Sequence, residues 1–303
     1  CILAPTTVLA KQHFEVFKER FSEFPYRICL LTREQTKTEK AEIYKKIKKN
    51  YFSIIIGTHA LFNKEISFKS LNLLIIDEEH KFGVRQKEQI RSLKNGINVI
   101  SLSATPIPRT LNLSLSKVRD ISLITTPPTG RKSVKTIVSR YSKSLVFEAI
   151  QREFYRDGQV FYLLNNVSML EEKKKEISDR FPGKTIAFAH GQLRPKELSK
   201  VMQSFIRKEI DLLVCTTIIE SGIDIENANT LIVEESENYG LSQLHQIRGR
   251  VGRSKREAYA YFFLNENKEL KNKASERIEA LQENESLLSG FSLAMRDLEI
   301  RGA

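Results

Sequence analysis

The feature that most constrains the fold of this chain is the alternation of short apolar runs with longer amphipathic stretches. Residues 54–56, 73–76 and 99–102 are runs rich in Ile, Leu and Val, as expected of strands covered on both faces. Residues 8–21 and 37–49 carry apolar side chains at three- and four-residue intervals, which predicts helices. Strands and helices in alternation predict an α/β fold with parallel sheets flanked by helices.

The alternation breaks at residues 125–131, where two prolines and a glycine occur together. Because proline fixes the backbone and removes a hydrogen-bond donor, we expect an interdomain linker here. The length of 303 residues also suits two domains. The predicted segments are a first lobe at 1–125, a linker at 126–136, a second lobe at 137–268 and a helical hairpin at 269–303.

Charge and cysteine usage narrow the class of protein. Lys plus Arg outnumber Asp plus Glu by 49 to 37, giving a net charge of +12 that favours a polyanionic partner such as nucleic acid. A generally basic proteome would give the same excess. The three scattered cysteines predict reduced thiols in a cytoplasmic protein. No apolar run approaches the ~18 residues of a membrane span.

An acidic cluster follows the apolar run at residues 73–76. It consists of Asp77, Glu78, Glu79 and His80. Open α/β sheets bind ligands at the carboxyl ends of their strands, and Mg²⁺ accepts one or two carboxylates. We therefore predict that Asp77 and Glu78 form a metal site, that Glu78 activates water, and that His80 senses a γ-phosphate. The alternative is a solvated acidic turn.

An arginine array at residues 246–253 is the most specific signal in the second half. Its three arginines are separated by glycines and are expected to direct positive charge at one spot. Arg250 and Arg253 are three residues apart, so we expect them to share a helix face and reach a γ-phosphate together with Gln246. The alternative is a basic surface. Acids on one lobe and arginines on the other predict a site that closes when the lobes meet.

Hydroxyl-bearing segments follow two further predicted strands. Thr216 and Thr217 suit contacts to a nucleic-acid backbone, and the N–H groups near Gly222 suit nucleotide phosphates. Asp224 is expected to bind a ribose hydroxyl or to position an arginine. A plain hydroxyl-rich turn is an equal alternative for this segment. The coupling of the nucleotide site to the lobe interface is assigned to Ser103, Ala104 and Thr105.

Weaker candidates lie at other predicted strand ends. Hydroxyl and amide groups there can bind backbone phosphates independently of sequence. The predicted nucleic-acid contacts of this kind are Pro5, Thr6, Thr7, Gly57, Thr58, His59, Gly191 and Gln192. The histidines at positions 13, 190 and 245 show no ligand spacing and are expected to be packed or surface residues.

Taken in order, these segments resemble the motifs of the superfamily 2 helicases. The matching segments are 4–7, 57–61, 77–80, 103–105, 159–164, 216–224 and 246–253, which resemble motifs Ia, Ib, II, III, IV, V and VI. Residues 74–85, 104–112 and 214–225 are most similar to the bacterial transcription-repair-coupling factors. The sister family of branch-migration helicases shares most of them, but usually has Gln where this chain has Glu79.

The resemblance implies two tandem RecA-like lobes and an ATP- and Mg²⁺-dependent motor that tracks along double-stranded DNA. In that family the motor displaces stalled RNA polymerase and recruits excision-repair proteins. Arg296 and Arg301 would belong to the hairpin motif that couples hydrolysis to translocation. We expect a monomer.

The resemblance is incomplete in one respect that matters for activity. No Gly-x-x-x-x-Gly-Lys-Ser/Thr phosphate loop occurs in the 303 residues, and the family places it before the segment that matches residue 1. The sequence therefore predicts a motor fragment, inactive alone, whose polymerase- and repair-binding modules lie elsewhere. A branch-migration or fork-regression helicase is the first alternative, and a non-catalytic DNA-binding fragment is the second.

Overall fold

The buried apolar strands form two parallel sheets, one in each of two compact units, residues 1–104 and 105–303. The computed structural model describes residues 1–93, 96–103, 120–124, 126, 132–218, 225–266 and 272–283. Every strand pairing found in these residues is parallel. The predicted α/β fold with two sheet-and-helix lobes is confirmed.

The first sheet has five strands in the order β2-β3-β1-β4-β5. They are β1 (Ile2–Leu3), β2 (Ile28–Leu31), β3 (Ile54–Gly57), β4 (Leu73–Asp77) and β5 (Asn98–Leu102). Since β1 lies between β3 and β4, the segments that follow these three strands emerge at one edge of the sheet. This edge carries most of the candidate residues of the first unit.

Three helices flank the first sheet, α1 (Thr7–Arg20), α2 (Lys37–Lys48) and α3 (Val84–Leu93). The start of α1 is fixed by Thr6, whose side chain accepts a hydrogen bond from the backbone N–H of Leu9. A reciprocal capping box between Thr36 and Glu39 starts α2. Leu9 and Ala10 of α1 pack with Ile2 and Ile56 of the sheet.

The second sheet has six strands in the order β6-β11-β10-β7-β9-β8. They are β6 (Val134–Arg140), β7 (Gln159–Leu163), β8 (Ile186–Ala189), β9 (Leu212–Cys215), β10 (Ala228–Val233) and β11 (Ala258–Leu264). β7, β9 and β10 are buried along their whole length, as expected for central strands of a sheet covered on both faces.

Five helices accompany the second sheet in the described residues. They are α4 (Lys143–Tyr155), α5 (Leu170–Arg180), α6 (Pro195–Ile206), α7 (Leu241–Arg248) and α8 (Asn272–Glu283). β6 begins at Val134, inside the segment 126–136 that the sequence assigns to the linker. Residues 127–131 of that linker, and the second helix of the predicted C-terminal hairpin, lie outside the described residues.

The two sheets share an unusual strand end. Glu78 follows β4 with φ 49° and Glu235 lies just beyond β10 with φ 48°, both in the left-handed region that non-glycine residues seldom adopt. Each is followed by one 3₁₀ turn, Glu79–Lys81 or Ser236–Asn238. The similarity of the two halves therefore extends to local backbone geometry.

No helix in the described ranges is long and apolar enough to cross a membrane.

Candidate functional site

The acidic cluster of the first unit lies at the carboxyl edge of the sheet, as predicted. Asp77 is the last residue of β4 and pairs in register with Leu102 of β5. The backbone N–H of Glu78 donates to the carbonyl of Leu102 at 2.9 Å, which holds the turn against the neighbouring strand. Glu78 has a left-handed backbone and is 5% exposed, so its carboxylate lies within the protein rather than in bulk water.

Two polar contacts organise the rest of this cluster. His80 Nδ1 lies 3.4 Å from Glu78 Oε2, a distance at which the two side chains form an ion pair when the histidine is protonated. Ser101 Oγ donates to Glu79 Oε2 at 2.7 Å and ties the turn to β5. Glu78 is buried, and Glu79 and His80 contact neighbouring side chains. This turn therefore differs from a fully solvated acidic turn.

His13 is a member of this site that the sequence interpretation missed. Its Nε2 lies 3.0 Å from Asp77 Oδ2, within hydrogen-bond distance, although 64 positions separate the two residues. The contact is possible because β1, which leads into α1, pairs with β4 in the sheet. Local spacing gives no signal for it, since only the strand order brings α1 to Asp77.

The donor set fits Mg²⁺ bound together with a nucleotide. The described residues contain no group of three or more His, Cys, Asp or Glu side chains able to hold a metal alone. Mg²⁺ usually retains several waters and is bound by one or two carboxylates and by substrate phosphates. Asp77, at the edge of the sheet with a side chain 19% exposed, matches that pattern.

The predicted phosphate contacts of the first unit differ in exposure. Thr6 caps α1, while Thr58 is 1% exposed and its hydroxyl oxygen is buried. His59 is exposed, and its pKa is lowered by partial burial and then by the nearby Arg33 and Lys40. A phosphate would be attracted by these two cations, so the exposed part of this edge suits a polyanion.

The remaining candidates of the first unit have the following positions. Pro5 lies two residues after the end of β1, and Gly57 is the last residue of β3. Thr7 is the first residue of α1. A side chain at Gly57 would collide with the Leu31 carbonyl, because a Cβ would lie 2.3 Å from that oxygen. Ser103 is exposed just after β5. Its predicted partners in coupling, Ala104 and Thr105 with Arg296 and Arg301, lie outside the described residues.

The arginine array of the second unit differs from its prediction. α7 ends at Arg248 and Gly249 caps it, so Arg250 and Arg253 do not share a helix face. Gly252, which follows the end of the helix by four residues, adopts φ +73° in the left-handed region. The expectation of a common helical face was wrong, because the helix ends at Arg248 with Gly249 as its C-cap and does not include residues 250–253.

Arg248 has a role within the fold rather than in a common cluster of cations. It is 5% exposed, and its guanidinium donates to the Leu281 carbonyl of α8 at 2.9 Å and to Thr136 Oγ1 at 3.3 Å. Its Nη2 also lies 3.2 Å from His245 Nδ1. Burial, and then the charge of Arg248, lowers the pKa of His245 to about 4, so His245 is neutral and accepts this bond.

Three predicted catalytic residues of the second unit lie close in sequence at the end of α7. Gln246 and Arg250 are 8% and 6% exposed, whereas Arg253 is half-buried and its Nε donates to the Gly249 carbonyl at 3.3 Å. Burying polar groups of this kind costs free energy unless they are hydrogen-bonded or paired.

The other predicted residues of the second unit follow its strands. Thr216 and Thr217 are half-buried after β9, and Gly191 and Gln192 are exposed after β8. Parallel pairing of β8 with β9 brings these two segments to the same edge. Gly222 and Asp224 lie outside the described residues. All assigned roles of these residues remain predictions.

Comparisons with known proteins define the class to which these two units belong. A model of DEAD/DEAH box helicases matches residues 1–113, and a model of the helicase conserved C-terminal domain matches residues 143–255. The chain therefore carries the two tandem RecA-like domains of a helicase. A yeast Dbp5 structure bound to RNA and ADP BeF3 has the same fold, with a TM-score of 0.70 at 15% identity over 99% of this chain and 80% of Dbp5.

Within that class, the chain is a homologue of a segment of the transcription-repair-coupling factors. It is 51% identical to that of Staphylococcus epidermidis and 50% identical to that of Staphylococcus aureus, over 99% of its own length in each case. It spans 26% of the length of both relatives. A structure of RecG bound to a three-way DNA junction shares 35% identity and a TM-score of 0.78, over 99% of this chain and 40% of RecG.

Proposed function

We propose that this chain is the motor segment of an ATP-dependent translocase that acts on double-stranded DNA. The observation that carries the proposal is the turn after β4, where Asp77 at the sheet edge precedes a buried, left-handed Glu78. A strained backbone around a buried carboxylate is a common mark of a functional site. Similarity to helicase domains and to the transcription-repair-coupling factors supports the same class of reaction.

The residues of the first unit would divide the work of ATP hydrolysis. Mg²⁺, when bound, neutralises charge on the phosphates. Asp77 would hold it at the sheet edge, directly or through water, while Glu78 orients the attacking water and accepts its proton at the carboxylate. His80, 3.4 Å from Glu78, would respond to the γ-phosphate and adjust the position of that carboxylate.

The second unit would supply positive charge and further nucleotide contacts. Arg250 and Arg253 would take up negative charge on the transferring phosphoryl group, with Gln246 orienting it. Gly222 and Asp224 would complete the nucleotide contacts. Thr216, Thr217, Gly191 and Gln192 would bind the DNA backbone without reading its sequence.

The similarity to the transcription-repair-coupling factors supports a wider role for the intact protein. We propose that the intact protein displaces stalled RNA polymerase and couples transcription to nucleotide excision repair, through modules outside this chain. A monomer in the cytoplasm fits this role, and the free, buried thiols of Cys29 and Cys215 support a reducing compartment. Since the 303 residues contain no Gly-x-x-x-x-Gly-Lys-Ser/Thr segment, we propose that they do not hydrolyse ATP alone.

The test is a duplex-stimulated ATPase assay on the intact protein. Glu78→Gln is expected to lower kcat by about 10²-fold or more while ATP still binds, because the variant loses a general base. Arg250→Ala is expected to lower kcat by about 10³-fold. Lys255→Ala, at an exposed position five residues from Arg250, is the matched control and should hydrolyse ATP at the wild-type rate. Undiminished hydrolysis in either of the first two variants would contradict the proposed roles of Glu78 and Arg250 in ATP hydrolysis.

A branch-migration helicase is the second candidate function. The similarity to RecG at a TM-score of 0.78 is the observation that favours it. Two assays on the intact protein separate the candidates, displacement of a stalled RNA polymerase and regression of a model replication fork. The remaining alternative is that this chain is a non-catalytic DNA-binding fragment. ATP hydrolysis by the 303 residues alone would exclude that alternative.

A further inference from the structure

The hydrogen bond between His13 and Asp77 joins two segments to which the proposed function gives separate tasks. His13 lies on α1, which begins at the predicted DNA contacts, and Asp77 is the proposed magnesium ligand. The Nε2 to Oδ2 distance is 3.0 Å, and the two side chains are 29% and 19% exposed. The bond is therefore shielded from most of the surrounding solvent.

The direction of the bond follows from the chemistry of its two groups. An ionised carboxylate has no proton to give and can only accept. Nε2 of His13 must therefore carry the proton and donate it to Asp77 Oδ2. Asp77 has a second oxygen, Oδ1, so that one carboxylate can accept from His13 and still contact a cation or a cation-bound water.

Both ends of the bond are held by regular structure. His13 lies in the middle of the 14-residue helix α1, which packs on the sheet through Leu9 and Ala10. Asp77 lies at the end of β4, in parallel register with β5. Functional groups carried by helices and strands are held more accurately than groups on loops. The bond is thus suited to fixing the side-chain orientation of Asp77.

We propose that His13 is a positioning residue that holds the Asp77 carboxylate in the orientation in which it binds Mg²⁺ with ATP. The proposal rests on the proposed function, since it assumes that Asp77 is a magnesium ligand. Partners that hydrogen-bond a ligating side chain orient it, and their loss typically costs about 10–100-fold in metal affinity or activity. Within the described residues, His13 Nε2 is the side-chain donor found on Asp77.

Three variants of the intact protein separate positioning from general packing. His13→Leu removes the hydrogen-bond donor and replaces the imidazole with an apolar side chain of comparable bulk. His13→Gln retains an N–H donor at the end of a side chain of similar reach. Glu15→Ala lies two residues away at an exposed position of the same helix and is the matched control.

The measurement is the Mg²⁺ concentration that gives half-maximal binding of a fluorescent ATP analogue. His13→Leu is expected to raise this midpoint about 10-fold or more, and His13→Gln to restore most of the loss. Glu15→Ala is expected to keep the wild-type midpoint. Melting temperatures of the four proteins show whether each is folded, and the His13→Gln comparison remains informative if His13→Leu is destabilised.

The outcomes distinguish this inference from the proposed function. If the wild-type protein binds the analogue without any dependence on Mg²⁺, the proposed function fails. If the wild type depends on Mg²⁺ but His13→Leu has the same midpoint as Glu15→Ala, the positioning role of His13 alone is overturned. A midpoint for His13→Gln as high as that for His13→Leu would also overturn it, because the donor would then be irrelevant.

Discussion

Three histidines show how strongly the role of a residue depends on its neighbours. Packed or surface positions were expected for all three. All three are packed against other side chains, His13 against the proposed magnesium ligand Asp77 and His245 against the buried Arg248. The ring of His190 stacks on Phe188 with an interplanar angle of 4°, in agreement with the expectation of a packed residue. The partners of His245 and His190 are two or three residues away in sequence, whereas the partner of His13 is 64 residues away and is brought to it only by the fold.

The environment of His245 predicts a loss of stability in mild acid. Burial and Arg248 lower its pKa to about 4 in the folded chain, against about 6.5 when unfolded. The unfolded state therefore binds more protons between these values. The contribution of His245 to the free energy of unfolding is complete above pH 6.5. It falls as the pH drops towards 4, by roughly 3 kcal/mol in total.

Urea unfolding of the chain between pH 7.5 and pH 5 measures this effect. His245→Gln does not titrate, while its side-chain oxygen can still accept from Arg248. We expect this variant to lose less stability than the wild type over that interval. Equal losses in the two proteins would show that His245 does not contribute to acid sensitivity.

At the scale of elements, glycines decide where α7 ends and how its last side chains are presented. A helix that continued through residue 253 would place Arg250 and Arg253 on one face. The chain instead turns at Gly249 and Gly252, and Val251 is fully buried between the two arginines. The sequence contains both glycines, but they were interpreted as spacers between the arginines and not as the sign of a helix end.

Gly252→Ala is expected to destabilise the chain by roughly 2–3 kcal/mol. The left-handed φ of +73° strains any side chain, and a Cβ would lie 2.9 Å from Val134 Cγ2 and 3.0 Å from the Ala258 Cβ. Gly191→Ala is the control, because its Cβ would meet nothing closer than 4.0 Å. Chemical unfolding checks both variants. A cost below about 0.5 kcal/mol for Gly252→Ala would contradict the argument.

For the whole molecule, the net charge of +12 predicts binding to DNA that weakens steeply with salt. Each Lys or Arg that neutralises a phosphate releases a counterion, so affinity falls as the salt concentration rises. We expect the Kd for a duplex of mixed sequence to increase about 10-fold or more between 50 and 200 mM KCl. Fluorescence anisotropy measures it, and sequence permutation should change it little. A Kd independent of salt would contradict contact through phosphates.

The sequence by itself determined the two parallel sheets, the helices that alternate with their strands along the chain, and the strand ends that carry acids and hydroxyls. It could do so because helix and strand periodicity and the burial of apolar runs are local properties. The motifs around Asp77 and Gln246 also identified the class of the chain, since their order along the sequence is itself the signal.

Only the tertiary structure decided which side chains meet. The bond from His13 to Asp77 depends on β1 lying next to β4, and the burial of Arg248 depends on α8 returning to the end of α7. Pairing between segments far apart in sequence is set by the packing of the whole unit, which no local pattern contains. Periodicity thus predicts the elements, while strand order and helix packing determine the contacts from which a site is built.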